Sequence, residues 1–235
     1  MQIIEVSDFA VRSAVIRLRH PETPLRFVCY PMLHMAKATF YADVATRLAR
    51  ADLIVAEGVK HGGSGSVLVT ALTMSYRVMR FNRRTELVSQ DHLRLRDLGV
   101  PIVAPDVSSA ELRTAWRRVP LAERAAVWTL LPAVMATRLL GGTGAIWTRA
   151  MEQHDLPSSA EEEELLDSPM TEALGGERDD RLLATLQELH ETRRQEKIEI
   201  AVVYGAAHVP AIVSFLTTRC GYRARSAEWL TITDL

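Results

Sequence analysis

Apolar residues in this chain fall into short runs separated by longer stretches with helical spacing. Residues 14–18, 27–30, 53–56, 102–104 and 200–204 form such runs. Runs of this length without strict alternation predict strands covered on both faces. A weaker run at 229–232 predicts a further strand near the end. The segment HPETP joins the first two runs, and its prolines favour a loop, so those strands are expected to form a hairpin. Between the runs lie predicted helices. Residues 39–51 carry Phe40, Val44, Leu48 and Ala51 at helical spacing. Residues 66–81 follow a glycine-rich loop, and 85–98 run up to Gly99 as a stop signal. Residues 108–118 and 121–140 are parted by Pro120, and Gly141-Gly142 ends the second. Residues 178–197 place Leu182, Leu183, Leu186 and Leu189 on one stripe, and 209–219 make a last helix.

Strands alternating with helices predict an α/β fold. Its centre is a largely parallel, mixed sheet with helices on both faces. The 235 residues are expected to form a single domain, with a helical insertion at about 108–155. The acidic, turn-rich piece at 157–167 is expected to be an exposed loop or a frayed helix start.

Charge and cysteine usage narrow the function classes. The formal net charge of −1 leaves no global basic field, so no nucleic-acid partner is expected. The arginine clusters at 77–84 and 94–96 read first as solvated faces and second as phosphate-binding surface. Cys29 and Cys220 lack a CxxC partner and sit among apolar residues, as buried thiols do. That fits a reducing compartment, and a cytoplasmic location is expected. No basic stretch followed by an apolar one marks the N-terminus as a signal peptide. The most apolar helical window, 125–136, is too short to span a bilayer, contains Pro132 and is flanked by Arg124 and Arg138. The 121–140 helix is left with two roles, a homodimer contact or a lid over substrate.

The candidate chemistry sits at strand ends. The segment IEIAVVYGAAHV runs a buried strand into a Gly-x-x-His turn, Gly205 to His208. In open α/β sheets, ligands bind at the carboxyl ends of strands, where a histidine suits metal or proton chemistry. A lone histidine there is more often structural, but a second one, His34, follows the run at 27–30 in the same way. Pro31 stands where the second unit has Gly205, and proline cannot supply a positive φ, so the two turns differ in detail. Glu57 ends the run LIVAE, and Glu177-Arg178 opens the polar helix after two glycines. Asp106 follows IVAP; it reads as a turn or N-cap residue, or, within a site, as a substrate contact. Two histidines with one or two carboxylates suit a divalent metal such as manganese, cobalt or zinc, with an open position for water. No HExxH helix is present, so distant segments must assemble the site. The loop HGGSGS lacks the ending of a phosphate-binding P-loop and reads as a linker or lid.

These ordered stretches resemble the TraB/TIKI superfamily, related more distantly to the erythromycin esterase and ChaN-like proteins. The resemblance lies in PMLHMAKATFYADVATRLARADLIVAEGV, VSQDHLRLRDLGVPIVAPDVS, GGERDDRLLATLQ and VVYGAAHVPAIVSFL. It implies His34, Glu57, Glu177, Arg178 and His208 as site residues. His34, His208 and one of Glu57 or Glu177 would bind metal, the other glutamate would activate water, and Arg178 would orient substrate or stabilise an oxyanion. The implied activity is a divalent-metal hydrolase acting on a peptide or another amide or ester bond. Two alternatives stay open: a binding protein that sequesters a peptide or small molecule without turnover, and a metal-free acid/base enzyme of the esterase kind. The chain departs from the family pattern at Pro31, where glycine is usual.

Overall fold

The computed structural model describes residues 2–58, 81–82, 86–105, 109–140 and 176–235. Nine strands and five α-helices are defined among them: β1 (Ile4–Val6), β2 (Ala10–Arg19), β3 (Arg26–Met32), β4 (Met35–Lys37), α1 (Ala38–Leu48), β5 (Leu53–Ala56), β6 (Leu87–Ser89), β7 (Ile102–Val103), α2 (Ser109–Arg118), α3 (Leu121–Leu140), α4 (Glu177–Arg193), β8 (Glu199–Gly205), α5 (Val209–Thr218) and β9 (Arg223–Asp234).

Seven strands form one mixed sheet. One half is parallel, in the order β3-β8-β5-β7. The other half is antiparallel and built on β2. Strand β9 pairs with β2 along its whole length, whereas β1 pairs with residues 11–13 of β2 and β3 with residues 16–19. A strand has two edges, so β1 and β3 share the edge that β9 leaves. The hairpin expected from HPETP is the antiparallel β2–β3 pair.

Proline in the middle of a sheet normally removes a ladder bond. Pro31 avoids that cost because β2 and β3 stop pairing at Cys29. The Pro31 carbonyl points the same way as its missing N–H, and the buried Ser13 hydroxyl donates to it at 2.8 Å. A side chain thus takes over where the backbone ladder ends.

Right-handed crossovers place the helices. Strand β3 reaches β5 by passing over β8 with α1, while the chain returns from β7 to β8 through α2 to α4. By that rule, opposite directions of travel put α1 and α4 on opposite faces of the sheet. Helix α1 buries Phe40, Tyr41, Val44 and Leu48. Helix α4 buries Leu182 and Leu186, and α5 buries Val209, Ile212, Val213 and Leu216. With both faces covered, the parallel strands are apolar throughout: every residue of β5, and all but the ends of β8, is buried. Cys29 and Cys220 are buried and unbridged, and burial pushes the Cys29 thiol up to about 12.

One expected helix is absent. Residues 86–98 are not α-helical: they hold β6, paired with β4, and two short 3-10 turns at Gln90–His92 and Leu95–Leu98. The Ser89 hydroxyl accepts from the Asp91 amide, which starts the first turn before an α-helix can propagate. Gly99 does end the segment, in the left-handed region at φ 69°. The predicted helix at 178–197 stops at Arg193. The expected strand at 229–232 extends from 223 to 234, because it has all of β2 to pair with. Of the helical insertion, residues 109–118 and 121–140 are helical, with Pro132 inside α3. The remainder up to 155, the acidic piece at 157–167, the HGGSGS loop, the arginines at 77–84 and all but the last residue of the 66–81 helix lie outside the described residues. No helix among the described residues is long and apolar enough to cross a membrane.

Candidate functional site

Three adjacent parallel strands, β3, β8 and β5, end at one edge of the sheet. Their last pairs are Met32 with Gly205, and Ala56 with Val203. The residues that follow must therefore emerge side by side: His34 after β3, Glu57 after β5, and the Gly205–His208 turn after β8. The first turn of α4 reaches the same edge from another part of the chain.

Glu57 is held from two sides. Its backbone amide still belongs to the sheet, donating to the Val203 carbonyl at 3.0 Å. Its carboxylate accepts from the Arg178 guanidinium at 2.5 Å and from the Gly205 amide at 2.8 Å. Glu57 and Arg178 side chains are each 17 % exposed. Burial, the largest single influence, pushes the Glu57 carboxyl up; the Arg178 charge, the Gly205 amide and His208 outweigh it and hold the group below its ordinary 4.5. Glu57 is therefore a carboxylate at neutral pH.

His208 is fixed through one nitrogen. Its Nδ1–H donates to Asp179 Oδ1 at 2.6 Å, and the Tyr204 ring stands edge-on at 5.9 Å. A carboxylate only accepts, so in the neutral ring this bond puts the proton on Nδ1 and leaves Nε2 with its lone pair. Burial presses the imidazole down, but the hydrogen bond to Asp179, its charge and that of Glu57 prevail and raise His208 above its ordinary 6.5.

A folded-state value above the unfolded one has a definite sign in stability. The Asp179–His208 pair contributes fully below the unfolded value of 6.5 and loses its contribution as pH rises through the raised folded value. Asp179→Asn is expected to cost about 1–2 kcal/mol below pH 6.5 and little at about pH 9. Urea unfolding of both proteins across that range checks it.

Gly205 serves this edge by closeness, not by an unusual backbone. Its φ is −50° and ψ 140°, which any residue can adopt. A Cβ there would stand 3.1 Å from Glu57 Oε2 and 3.6 Å from His208 Cδ2. Glycine lets the amide approach the carboxylate. In Gly205→Ala the Glu57 carboxylate must give way by a few tenths of an ångström. The expected cost is about 1–2 kcal/mol in thermal or denaturant unfolding, through overpacking and a lengthened N–H···O bond.

The sequence candidates are distributed as follows. Glu57, Arg178 and His208 come together. His34 is exposed at the bend after β3, and its carbonyl accepts from the Gln90 amide at 2.9 Å; none of the contacts above involves its ring. Glu177 begins α4, and its side chain lies outside the described residues, as does Asp106. Asp179 was not among the candidates, although it belongs to the same ERDD run as Arg178. Its adjacency to the Glu-Arg pair was the available signal.

A structural or catalytic divalent metal commonly takes three or more protein donors. Among the described residues, no group of three or more His, Cys, Asp and Glu side chains could hold one. The Glu57 carboxylate already carries a guanidinium and an amide. The described donors thus do not fit a metal as they stand. What they do supply is a charge-compensated carboxylate beside an oriented, partly buried imidazole. Comparison with protein-family models, curated proteins and solved structures finds no match for this chain.

Proposed function

We propose that this chain is a hydrolase of ester or amide bonds that uses His208 as a general base. The observation that carries the reading is the 2.6 Å bond from His208 Nδ1 to Asp179, which leaves Nε2 as the reactive nitrogen at the carboxyl edge of β8. Nε2 takes a proton from water, the resulting hydroxide adds to the substrate carbonyl, and the imidazolium returns the proton to the leaving oxygen or nitrogen as the scissile bond breaks. Asp179 holds the ring and steadies the imidazolium. Arg178 supplies positive charge for the developing oxyanion, and Glu57 fixes the guanidinium. The resemblance to the TraB/TIKI superfamily and its esterase relatives supports the same reaction class.

A divalent-metal hydrolase is the second reading. It rests on the same bond, because metal-binding histidines also hand their second ring nitrogen to a carboxylate. It needs a further donor, for which His34 lies at the same sheet edge.

A panel of p-nitrophenyl esters and amino-acid amides, assayed with and without chelator, tests both. Hydrolysis that survives chelation and disappears in His208→Ala supports the general-base reading. Hydrolysis abolished by chelator and restored by manganese, cobalt or zinc supports the metal reading. Equal rates in wild type and His208→Ala would overturn both. Since Nε2 must be unprotonated to act, the acidic limb of the rate–pH profile is expected above 6.5 and should move to lower pH in Asp179→Asn.

A further inference from the structure

The opposite end of the parallel strands carries an unassigned feature. A cavity of about 670 Å³ opens where β3 and β8 begin, against the last turns of α1. That volume lies within the range of small-molecule sites. It is a separate place from the edge that holds His208: Glu199 lines it, and Gly205 is six residues further along the same strand, roughly 20 Å at about 3.3 Å per residue.

Its lining is cationic in a chain of net charge −1. Five basic residues, Arg17, Arg26, Arg47, Arg50 and Lys197, face three acidic ones, Asp43, Asp52 and Glu199. The charges are unevenly committed. Arg47 makes a two-pronged pair with Glu228 at 2.6 and 2.7 Å, and Arg17 stands 3.9 Å from both Glu199 and Glu228. Asp52 accepts from the Glu199 amide at 2.8 Å. Arg26, Arg50 and Lys197, by contrast, make no side-chain hydrogen bond or ion pair with the described residues.

The cavity also holds a phenol. Tyr30 lines the cavity and is only 2 % exposed, and its phenol lies in the field of the Glu199, Arg17, Arg47 and Glu228 charges. Here it stands in a concave site with three uncommitted cations, as a donor for an oxygen-rich anion.

We propose that this cavity binds a phosphorylated small molecule, with Arg26, Arg50 and Lys197 holding the phosphate oxygens and the Tyr30 hydroxyl donating to the ligand. Arginine and lysine together suit phosphate, through forked donors and a point charge respectively. The concave shape and the three acidic residues around it favour a compact ligand over a nucleic-acid or membrane surface, which needs a continuous basic face.

The test is calorimetric titration of the full chain with inorganic pyrophosphate at low salt. One saturable site per chain is expected, weakened by raised salt. Arg50 and Lys197 are exposed, so Arg50→Gln with Lys197→Gln should fold normally, and it should bind at least about tenfold more weakly through loss of charge-assisted bonds. Tyr30→Phe should weaken binding to a lesser degree, and His208→Ala should leave it unchanged. No saturable binding, or undiminished binding by the double variant, would overturn the proposal. Capture by vesicles containing phosphatidylserine without pyrophosphate binding would also overturn it, assigning the cations to a membrane surface. Loss of pyrophosphate binding in His208→Ala would place the anion at the other edge and equally refute it.

Discussion

Arg178→Met is expected to destabilise the protein by about 3 kcal/mol at neutral pH, the lower end of what breaking a buried ion pair costs. For a chain of this size that is a fall in melting temperature of roughly 6–12 °C. The reason is what remains. Glu57 is mostly buried, and its charge is stabilised chiefly by the Arg178 guanidinium, which donates at 2.5 Å. Without it, one amide bond from Gly205 faces the desolvation of a full negative charge. The loss has a characteristic pH dependence. In the wild type, Glu57 is held below its ordinary 4.5, so its contribution is present above that value and is lost as pH falls through the lowered folded value. In the variant, burial is opposed only by the weaker influences, and the folded value should rise above 4.5. The variant then loses stability as pH climbs from acid to neutral. The gap between the two proteins should therefore widen from about pH 4 to pH 7, as denaturant unfolding at several pH values would show. Glu57→Gln combined with Arg178→Met removes the stranded charge and should recover much of the loss. A cost below about 1 kcal/mol, or one independent of pH, would mean that solvent already screens the pair.

His208→Ala is expected to leave the fold nearly intact and to lower the rate of ester or amide hydrolysis by about 10²–10⁴-fold, the usual contribution of a positioned general base. The two effects separate because of where the residue sits. Its imidazole lies at the sheet edge, and Asp179, which would lose its partner, is 30 % exposed and can turn to water. The stability cost should thus be about 2 kcal/mol, that of one hydrogen bond to a charged group with an accessible partner. Side-by-side melting curves and initial rates check both halves. Asp179→Asn should retain more activity than His208→Ala, since it keeps the imidazole and only weakens its anchoring. A rate equal to wild type in His208→Ala would remove His208 from the chemistry.

Much of the fold was legible in the sequence because the signals were local. Unbroken apolar runs mark β3, β5 and β8, which are buried on both faces, and proline and glycine mark the breaks at Pro120 and Gly99. The segment at 85–98 misled for a physical reason. Its apolar residues Leu87, Val88, Leu93, Leu95 and Leu98 are compatible with helical spacing. Only pairing with β4, a three-residue strand with no signal of its own, selects the extended form at 87–89. Short strands of this kind owe their existence to a partner and not to propensity. The length of β9 has the same origin.

The candidate site divides in the same way. By itself the sequence determined that Glu57 and His208 follow buried strands, since a polar residue after an apolar run must emerge at a sheet end. It also determined that Arg178 opens a helix, since two glycines precede the polar stretch. Tertiary structure alone decided that these three meet, because strand order and the return of α4 to this edge depend on packing across more than a hundred residues. It alone separated Arg178 from Asp179: neighbours on a helix point about 100° apart, so one serves Glu57 and the other His208. And it alone explained Gly205, whose ordinary dihedral angles demand no glycine and whose missing side chain leaves the room that the Glu57 carboxylate fills.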